Sequence, residues 1–342
     1  MVHMYIICML FRTYLKGNLM GFLKNFIELT RGYALLVTFA SCFIIYAFAQ
    51  NTTHISKPIF LIMVLALCAV HLGANLYDDY RDIKAQMQRG KSLDEVYFNG
   101  FTPKARLILN KTFSLELVRK VIFSLFIFAT GVGIAFVLSS GWFVLVCMLL
   151  GAILTLLYPI SSKHNCAEIV VGAIYGPLMI MGGYYALTGE LSFKLFVLSI
   201  AIFFTTIILL HTHSIMDWEF DIKNGKKTLA ILSGSKDNAI KLLIVMIAIS
   251  YLIVLIGALS GFFKLTMLFV FFTLPIATKL VSSMQEYILI KNVEFKPRWY
   301  WGFFENWKEI QERKIDFFMF RFYLARNYLF FFALFASIGA MI

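Results

Sequence analysis

The sequence predicts an all-α, multi-pass transmembrane helical bundle of about nine helices. Three observations predict it. The 342 residues are 60% hydrophobic and 17% aromatic but only 15% charged, whereas average soluble chains are about 45–50% apolar and about 25% charged. The apolar residues gather in runs close to the roughly 20 residues that a helix needs to cross a bilayer. The basic residues lie almost wholly on one side of those runs. A soluble domain could not hide so much apolar surface, but a bilayer is itself an apolar solvent.

In chain order, residues 1–32 read as an N-terminal cytoplasmic or interfacial segment. Its apolar stretch from Met4 to Phe11 is too short to span and has no clear cleavage site, so no signal peptide is expected. Met20 is a possible biological start. Residues 33–342 read as the transmembrane domain, with spans at about 33–50, 55–77, 117–138, 141–158, 167–187, 193–212, 240–258, 264–282 and 326–342. Short turns such as Ser139-Ser140-Gly141 and Ser260-Gly261 join neighbouring spans. Three polar stretches remain, at 75–116, 211–240 and 283–325. The last mixes Trp299, Trp301 and Trp307 with Arg298, Lys308, Arg313 and Lys314, and reads as an amphipathic helix lying on the membrane surface.

Nine spans with the N-terminus inside place 25 of the 31 Lys and Arg residues in cytoplasmic segments, as the positive-inside rule requires. The outer connections hold only Lys57, Lys194 and Lys264. The net charge of +12 therefore reads as a basic membrane face and not as a nucleic-acid surface. The five cysteines show no paired or metal-ligand spacing and read as small buried hydrophobes.

Two acidic clusters carry the chemistry. The second span ends His71-Leu-Gly-Ala-Asn75-Leu-Tyr-Asp78-Asp79-Tyr-Arg81-Asp82. Positions 75, 78, 79 and 82 share one helical face, so an amide and three carboxylates converge there. The sixth span ends His211-Thr-His213-Ser-Ile-Met-Asp217-Trp-Glu219-Phe-Asp221-Ile-Lys-Asn-Gly225-Lys226-Lys227-Thr228-Leu229. Asp217 and Asp221 again share a face, and Glu219 points elsewhere. Two acidic faces at one membrane surface call for a shared counter-charge. Mg²⁺ favours one or two carboxylates plus substrate phosphates. The expected arrangement is carboxylates, then Mg²⁺, then a diphosphate, with Arg81, Lys84, Lys226 and Lys227 on the remaining phosphate oxygens. The expected metal ligands are Asn75, Asp78, Asp79, Asp82, Asp217 and Asp221. His71, His211 and His213 read as hydrogen-bonded structural residues. Lys104, Arg106, Arg119 and Lys120 read as lipid-headgroup contacts.

These residues resemble the UbiA superfamily of intramembrane prenyltransferases. That family carries an NDxxDxxxD-type motif after its second helix, matched by Asn75, Asp78 or Asp79, and Asp82. It carries a DxxxD motif after its sixth, matched by Asp217 and Asp221. Gly225-Lys226-Lys227-Thr228-Leu229-Ala230 is similar to its G-K-x-T-L-A ending. The stretch from Glu168 through Gly172, Gly176 and Pro177 to Tyr184-Tyr185 resembles the fifth helix of 1,4-dihydroxy-2-naphthoate polyprenyltransferases. By the residues alone, Gly172 and Gly176 read as close-packing positions. The family pattern has Asn and Arg just before its second motif, where this chain has His213, Ser214 and Met216.

The resemblance implies a Mg²⁺-dependent transfer of a polyprenyl group from a prenyl diphosphate to an aromatic small molecule within the lipid bilayer. The implied acceptor is 1,4-dihydroxy-2-naphthoate. Other family acceptors, namely 4-hydroxybenzoate, haem or a glycerol phosphate, remain open. The implied catalytic residues are Asp78, Asp82, Asp217 and Asp221. Asn75, Asp79, Arg81, Lys226, Lys227, Glu168 and Tyr158 are expected to face substrate, and the faces of Tyr158, Tyr184 and Tyr185 would suit an allylic cation. The implied location is a bacterial inner membrane with a cytoplasmic site. A cation-coupled transporter is the competing class. Transporters place charge near the bilayer midplane, whereas these acids lie at the interface.

Overall fold

The computed structural model describes residues 21, 25–27, 29–88, 113–161, 167–223, 225–289 and 295–342. Lys104, Arg106, the whole of 89–112 and most of 1–32 lie outside them. The helices are α1 (Leu35–Gln50), α2 (Lys57–Gln88), α3 (Leu115–Ser140), α4 (Trp142–Ser161), α5 (Ala167–Thr188), α6 (Phe193–Met216), α7 (Trp218–Lys223), α8 (Leu229–Leu232), α9 (Lys236–Leu259), α10 (Leu274–Leu289), α11 (Trp307–Glu312) and α12 (Asp316–Met341). A 3₁₀ stretch, Leu265–Thr273, leads into α10. Among the described residues, eight helical segments are long and apolar enough to cross a membrane, and Trp142–Tyr158 is a shorter apolar ninth.

The chain forms two compact units, one of residues 1–35 and 65–131 and one of residues 36–64 and 132–342. In the first, the core is Leu29, Leu76, Ile83, Phe113, Val118 and Ile122. The Gly73 position on α2 faces the Phe126 ring of α3, where a Cβ would stand 3.3 Å away. In the second, α6 packs against α5, α9 and α12, and α12 packs against the 3₁₀ stretch. Buried hydroxyls in these spans turn back onto their own helix. Thr205 and Thr206 both donate to the Ile202 carbonyl at 2.9 Å, and Thr212 donates to the Ile208 carbonyl at 2.8 Å. Such bonds satisfy polar groups that lipid could not. Large apolar side chains such as Leu149, Ile153 and Leu156 on α4, and Val245, Leu252 and Ile256 on α9, remain exposed, as an apolar solvent permits.

Helix α5 is broken at its centre. Pro177 has no N–H to donate and forces a π-helical turn over Ile174–Leu178, with Gly176 at ψ −107°. Ser41 of α1 donates to the Tyr175 carbonyl at 2.6 Å, which satisfies a backbone group at the break. A Cβ on Gly176 would meet the backbone of Phe203 at 2.9 Å, and one on Gly172 would meet Ile207 at 2.8 Å. Both glycines are thus close-packing positions against α6. Gly176→Ala is expected to destabilise the protein by about 1–3 kcal/mol, read as a lower melting temperature in detergent.

The segment 283–325 is not the single amphipathic helix expected from its composition. Residues up to Leu289 continue α10, a 3₁₀ turn covers Trp299–Trp301, α11 follows, and α12 begins at Asp316. The last span thus starts ten residues before the expected 326. Its first turns contain Arg321 and Arg326, which lower the hydropathy, yet both are buried. Arg321 Nε donates to the Ser283 carbonyl at 2.8 Å. Arg326 pairs with Glu305 at 2.9 Å, and Asn327 donates to the Trp301 and Phe303 carbonyls. These bonds lock residues 301–305 onto α12 and make the polar groups affordable in a buried helix.

Candidate functional site

The first acidic cluster sits on the C-terminal half of α2, which stays helical through Gln88. Asn75, Asp78 and Asp79 therefore share one face, as does the backbone position of Asp82, whose side chain lies outside the described residues. The Asp78 and Asp79 side chains are only 24% and 16% exposed, and Arg31 reaches both carboxylates. Its Nη2 donates to Asp79 Oδ1 and stands 4.0 Å from Asp78 Oδ2. Beside it, Asn75 Nδ2 donates to the Thr30 carbonyl at 3.5 Å. Burial works against the Arg31 cation, but Asp79 and Asp78 outweigh it and hold the guanidinium above its ordinary pKa.

At 3.6 residues per turn Arg81 stands at the Asp78 edge of this face, about 60° from Asp78, with its guanidinium 5.8 Å from the Tyr77 ring centroid. Lys84 lies on the side of α2 away from Asn75 and is exposed.

The second cluster is built where α6 ends. Asp217 leaves helical geometry at ψ 12°, and the Asp221 N–H donates to its carbonyl at 2.8 Å. His213 Nδ1 lies 3.2 Å from Asp217 Oδ2. Asp221 is 3% exposed, and Lys226 Nζ lies 3.2 Å from it. Several contacts fix the following turn. Gly225 takes φ 65°, a conformation open to glycine. The Lys226 N–H donates to the Asp221 carbonyl at 2.9 Å. The Thr228 hydroxyl caps α8 by accepting from Ile231 N–H. Lys227 is exposed. Glu219 points away, exposed and paired with Lys236 at 2.5 Å, and that hydrogen bond lowers its pKa.

Glu168, in the first turn of α5, reaches this turn from beneath. It is 2% exposed. Its Oε1 accepts from the Ser214 hydroxyl and from Leu229 N–H, each at 3.1 Å. Its Oε2 is buried and makes no hydrogen bond among the described residues, and the Asp221 charge bears on it. Tyr287 of α10 donates to the Met216 carbonyl at 3.2 Å and stacks under Arg321, 5.0 Å away. His211 is structural, with Nε2 2.9 Å from the Ala239 carbonyl. Tyr158 is half-buried near the end of α4 and carries the carbonyl that accepts from Ser161.

The donor set suits a hard divalent cation. Burial raises the pKa of both Asp217 and Asp221, and nearby Lys226 only partly counters it. A bound cation would offset that burial. Among the described residues no three His, Cys, Asp or Glu side chains stand close enough to cage a metal. Mg²⁺ needs no such cage, because substrate phosphates and water complete its shell.

Arg31 and Tyr287 were not singled out by sequence reasoning. Arg31 lies 48 residues from its partner Asp79, and no local spacing announces that contact. Tyr287 acts through the Met216 carbonyl, a contact that no side-chain pattern encodes.

Residues 35–300 match the UbiA prenyltransferase family. Over 256 residues, 72% of this chain and 78% of the relative, the chain is 24% identical to the 1,4-dihydroxy-2-naphthoate octaprenyltransferase of Bacillus subtilis (strain 168). The fold is similar to that of a digeranylgeranylglyceryl phosphate synthase, with a TM-score of 0.55 and 16% identity over 94% of this chain and 99% of that one. It is also similar to a UbiA homologue from Archaeoglobus fulgidus bound to GPP and Mg²⁺, with a TM-score of 0.55 and 13% identity over 93% of this chain and 100% of that one.

Proposed function

Since the chain belongs to the UbiA prenyltransferase family and is a membrane-embedded prenyltransferase, we propose that it transfers a polyprenyl group from a prenyl diphosphate to 1,4-dihydroxy-2-naphthoate, a step of menaquinone biosynthesis. The observation that carries the reading is the acidic pair at the end of α6: the Asp221 N–H donates to the Asp217 carbonyl, and Asp221 is buried with Lys226 Nζ 3.2 Å away. The name of the Bacillus subtilis relative supports the acceptor. The residues that would hold Mg²⁺ are Asn75, Asp78, Asp79 and Asp82 in one cluster and Asp217 and Asp221 in the other. Bound there, Mg²⁺ would supply charge neutralisation for a departing diphosphate.

The chain's own groups do the remaining work. Lys226, already beside Asp221, and the neighbouring Lys227 are the phosphate-facing cations. The allylic C–O bond breaks, the electron pair leaves with diphosphate, an electron-rich ring carbon of the acceptor takes the prenyl cation, and the naphthoate carboxylate departs as CO₂, returning its bonding pair to the ring. The Tyr158 ring supplies an aromatic face for that cation. The one-sided distribution of Lys and Arg supports a cytoplasmic N-terminus and site, in a bacterial inner membrane.

Purified protein incubated with a labelled prenyl diphosphate, Mg²⁺ and 1,4-dihydroxy-2-naphthoate is expected to form a lipid-soluble labelled product. Parallel arms with 4-hydroxybenzoate, haem or a glycerol phosphate should give none. Product in one of those arms alone would overturn the acceptor. Chelation with EDTA is expected to slow the reaction at least about a hundredfold, because metal charge stabilisation is worth several kcal/mol, and added Mg²⁺ should restore it.

A further inference from the structure

Arg31 lies ahead of the residues that match the family and has no part in the expected motifs, yet its guanidinium reaches both Asp78 and Asp79 of the first acidic face. It holds φ 55° and ψ 41°, a left-handed conformation uncommon for a residue with a side chain. From there one guanidinium nitrogen meets Asp79 and approaches Asp78. Its Nε is buried and finds no hydrogen-bond partner among the described residues. The preceding carbonyl, Thr30, is tied to Asn75. The segment is therefore anchored to the cluster at two consecutive residues, and it presents a planar fork of donors that is only partly used.

We propose that Arg31 is a placeholder counter-ion: it neutralises Asp78 and Asp79 in the resting protein, and moves its fork to a diphosphate oxygen when Mg²⁺ takes those carboxylates. The proposal rests on the prenyl diphosphate reading above. The physical reason is competition. A cation on Asp79 opposes a bare metal there, so Mg²⁺ alone binds weakly. A diphosphate arriving with the metal offers the guanidinium a bidentate anion, which suits its geometry better than any point charge. Its unused N–H groups then gain acceptors. Metal and diphosphate consequently bind with positive coupling, and by linkage each favours the other by the same factor. The arrangement would keep the acidic face closed until the proper anion is present.

The test is metal binding by the full-length protein in detergent, with Mn²⁺ followed by electron paramagnetic resonance, with and without inorganic pyrophosphate. The wild type is expected to bind Mn²⁺ at least about tenfold more tightly with pyrophosphate, within the usual range of such couplings. Arg31→Gln is expected to bind Mn²⁺ alone more tightly than the wild type and to lose most of the coupling. Arg31→Lys keeps the charge without the fork and should retain only part of the coupling. A merely structural Arg31 would weaken metal binding in both variants and leave the pyrophosphate factor intact. That result, or unchanged coupling in Arg31→Lys should Arg31→Gln not fold, overturns the proposal. Neither measurement needs an acceptor or turnover, so failure of the proposed acceptor would leave the coupling result standing.

Discussion

Asp221→Asn is expected to lower Mg²⁺-dependent prenyl transfer by about 10²–10³-fold, the scale of losing one charge-stabilising group in a water-poor site. The substitution keeps the size of the side chain and removes only its charge. Asp221 is buried, and its acidity is weakened by burial that Lys226 only partly counters. A neutral amide there removes a ligand for a divalent cation and leaves Lys226 to the solvent it already reaches. The fold should survive, because the turn is held by backbone bonds and by the Thr228 cap. Glu219→Gln provides the contrast within the same helix. Glu219 is exposed and bound to Lys236, and an exposed ion pair is worth about 0–1 kcal/mol. Its turnover should stay within about threefold of wild type. The comparison is read as initial rates with labelled prenyl diphosphate, beside melting temperatures for both variants. Full Mg²⁺-dependent turnover in Asp221→Asn would end the metal reading of the second cluster.

The distance between what was legible in the chain and what was not follows from the range of each interaction. Spans were readable because hydropathy is a local sum, and α1 to α6 and α9 fall near their expected positions. The start of α12 was not, because Arg321 and Arg326 count as polar in that sum. Whether they are affordable depends on Ser283 and Glu305, which lie elsewhere in the chain. The acidic face of α2 was readable from helical periodicity. The same periodicity sets Lys84 on the side away from Asn75 and Arg81 at the Asp78 edge of the face. Arg31 was invisible for the opposite reason: only the folded unit brings its left-handed turn to Asp79. Gly172 and Gly176 were legible as packing positions, because a missing Cβ has one obvious use where helices cross.

Glu168 is where two readings part, and its variants separate them. The likeness to the fifth helix of naphthoate prenyltransferases suggests contact with substrate. The geometry instead shows a buried carboxylate joining the end of α6 to the start of α8, with Asp221 within reach of its charge. Glu168→Ala leaves the Ser214 hydroxyl and the Leu229 N–H without their acceptor, and each buried unsatisfied group costs about 1–3 kcal/mol. The expected result is a clear fall in melting temperature and a loosened Asp217–Asp221 pair. Glu168→Gln keeps an oxygen for both donors but replaces the charge with an amide, and should fold nearly as well as wild type. The decisive quantity in that variant is which concentration dependence moves. A residue that positions the metal-binding acids should raise the Mg²⁺ concentration for half-maximal rate by about 10–100-fold, the usual effect of losing a group that orients ligands, and leave the acceptor KM near its wild-type value. A residue that touches the acceptor should do the reverse. Because Oε1 is already shared by two donors within the chain, the Mg²⁺ dependence is the one expected to shift.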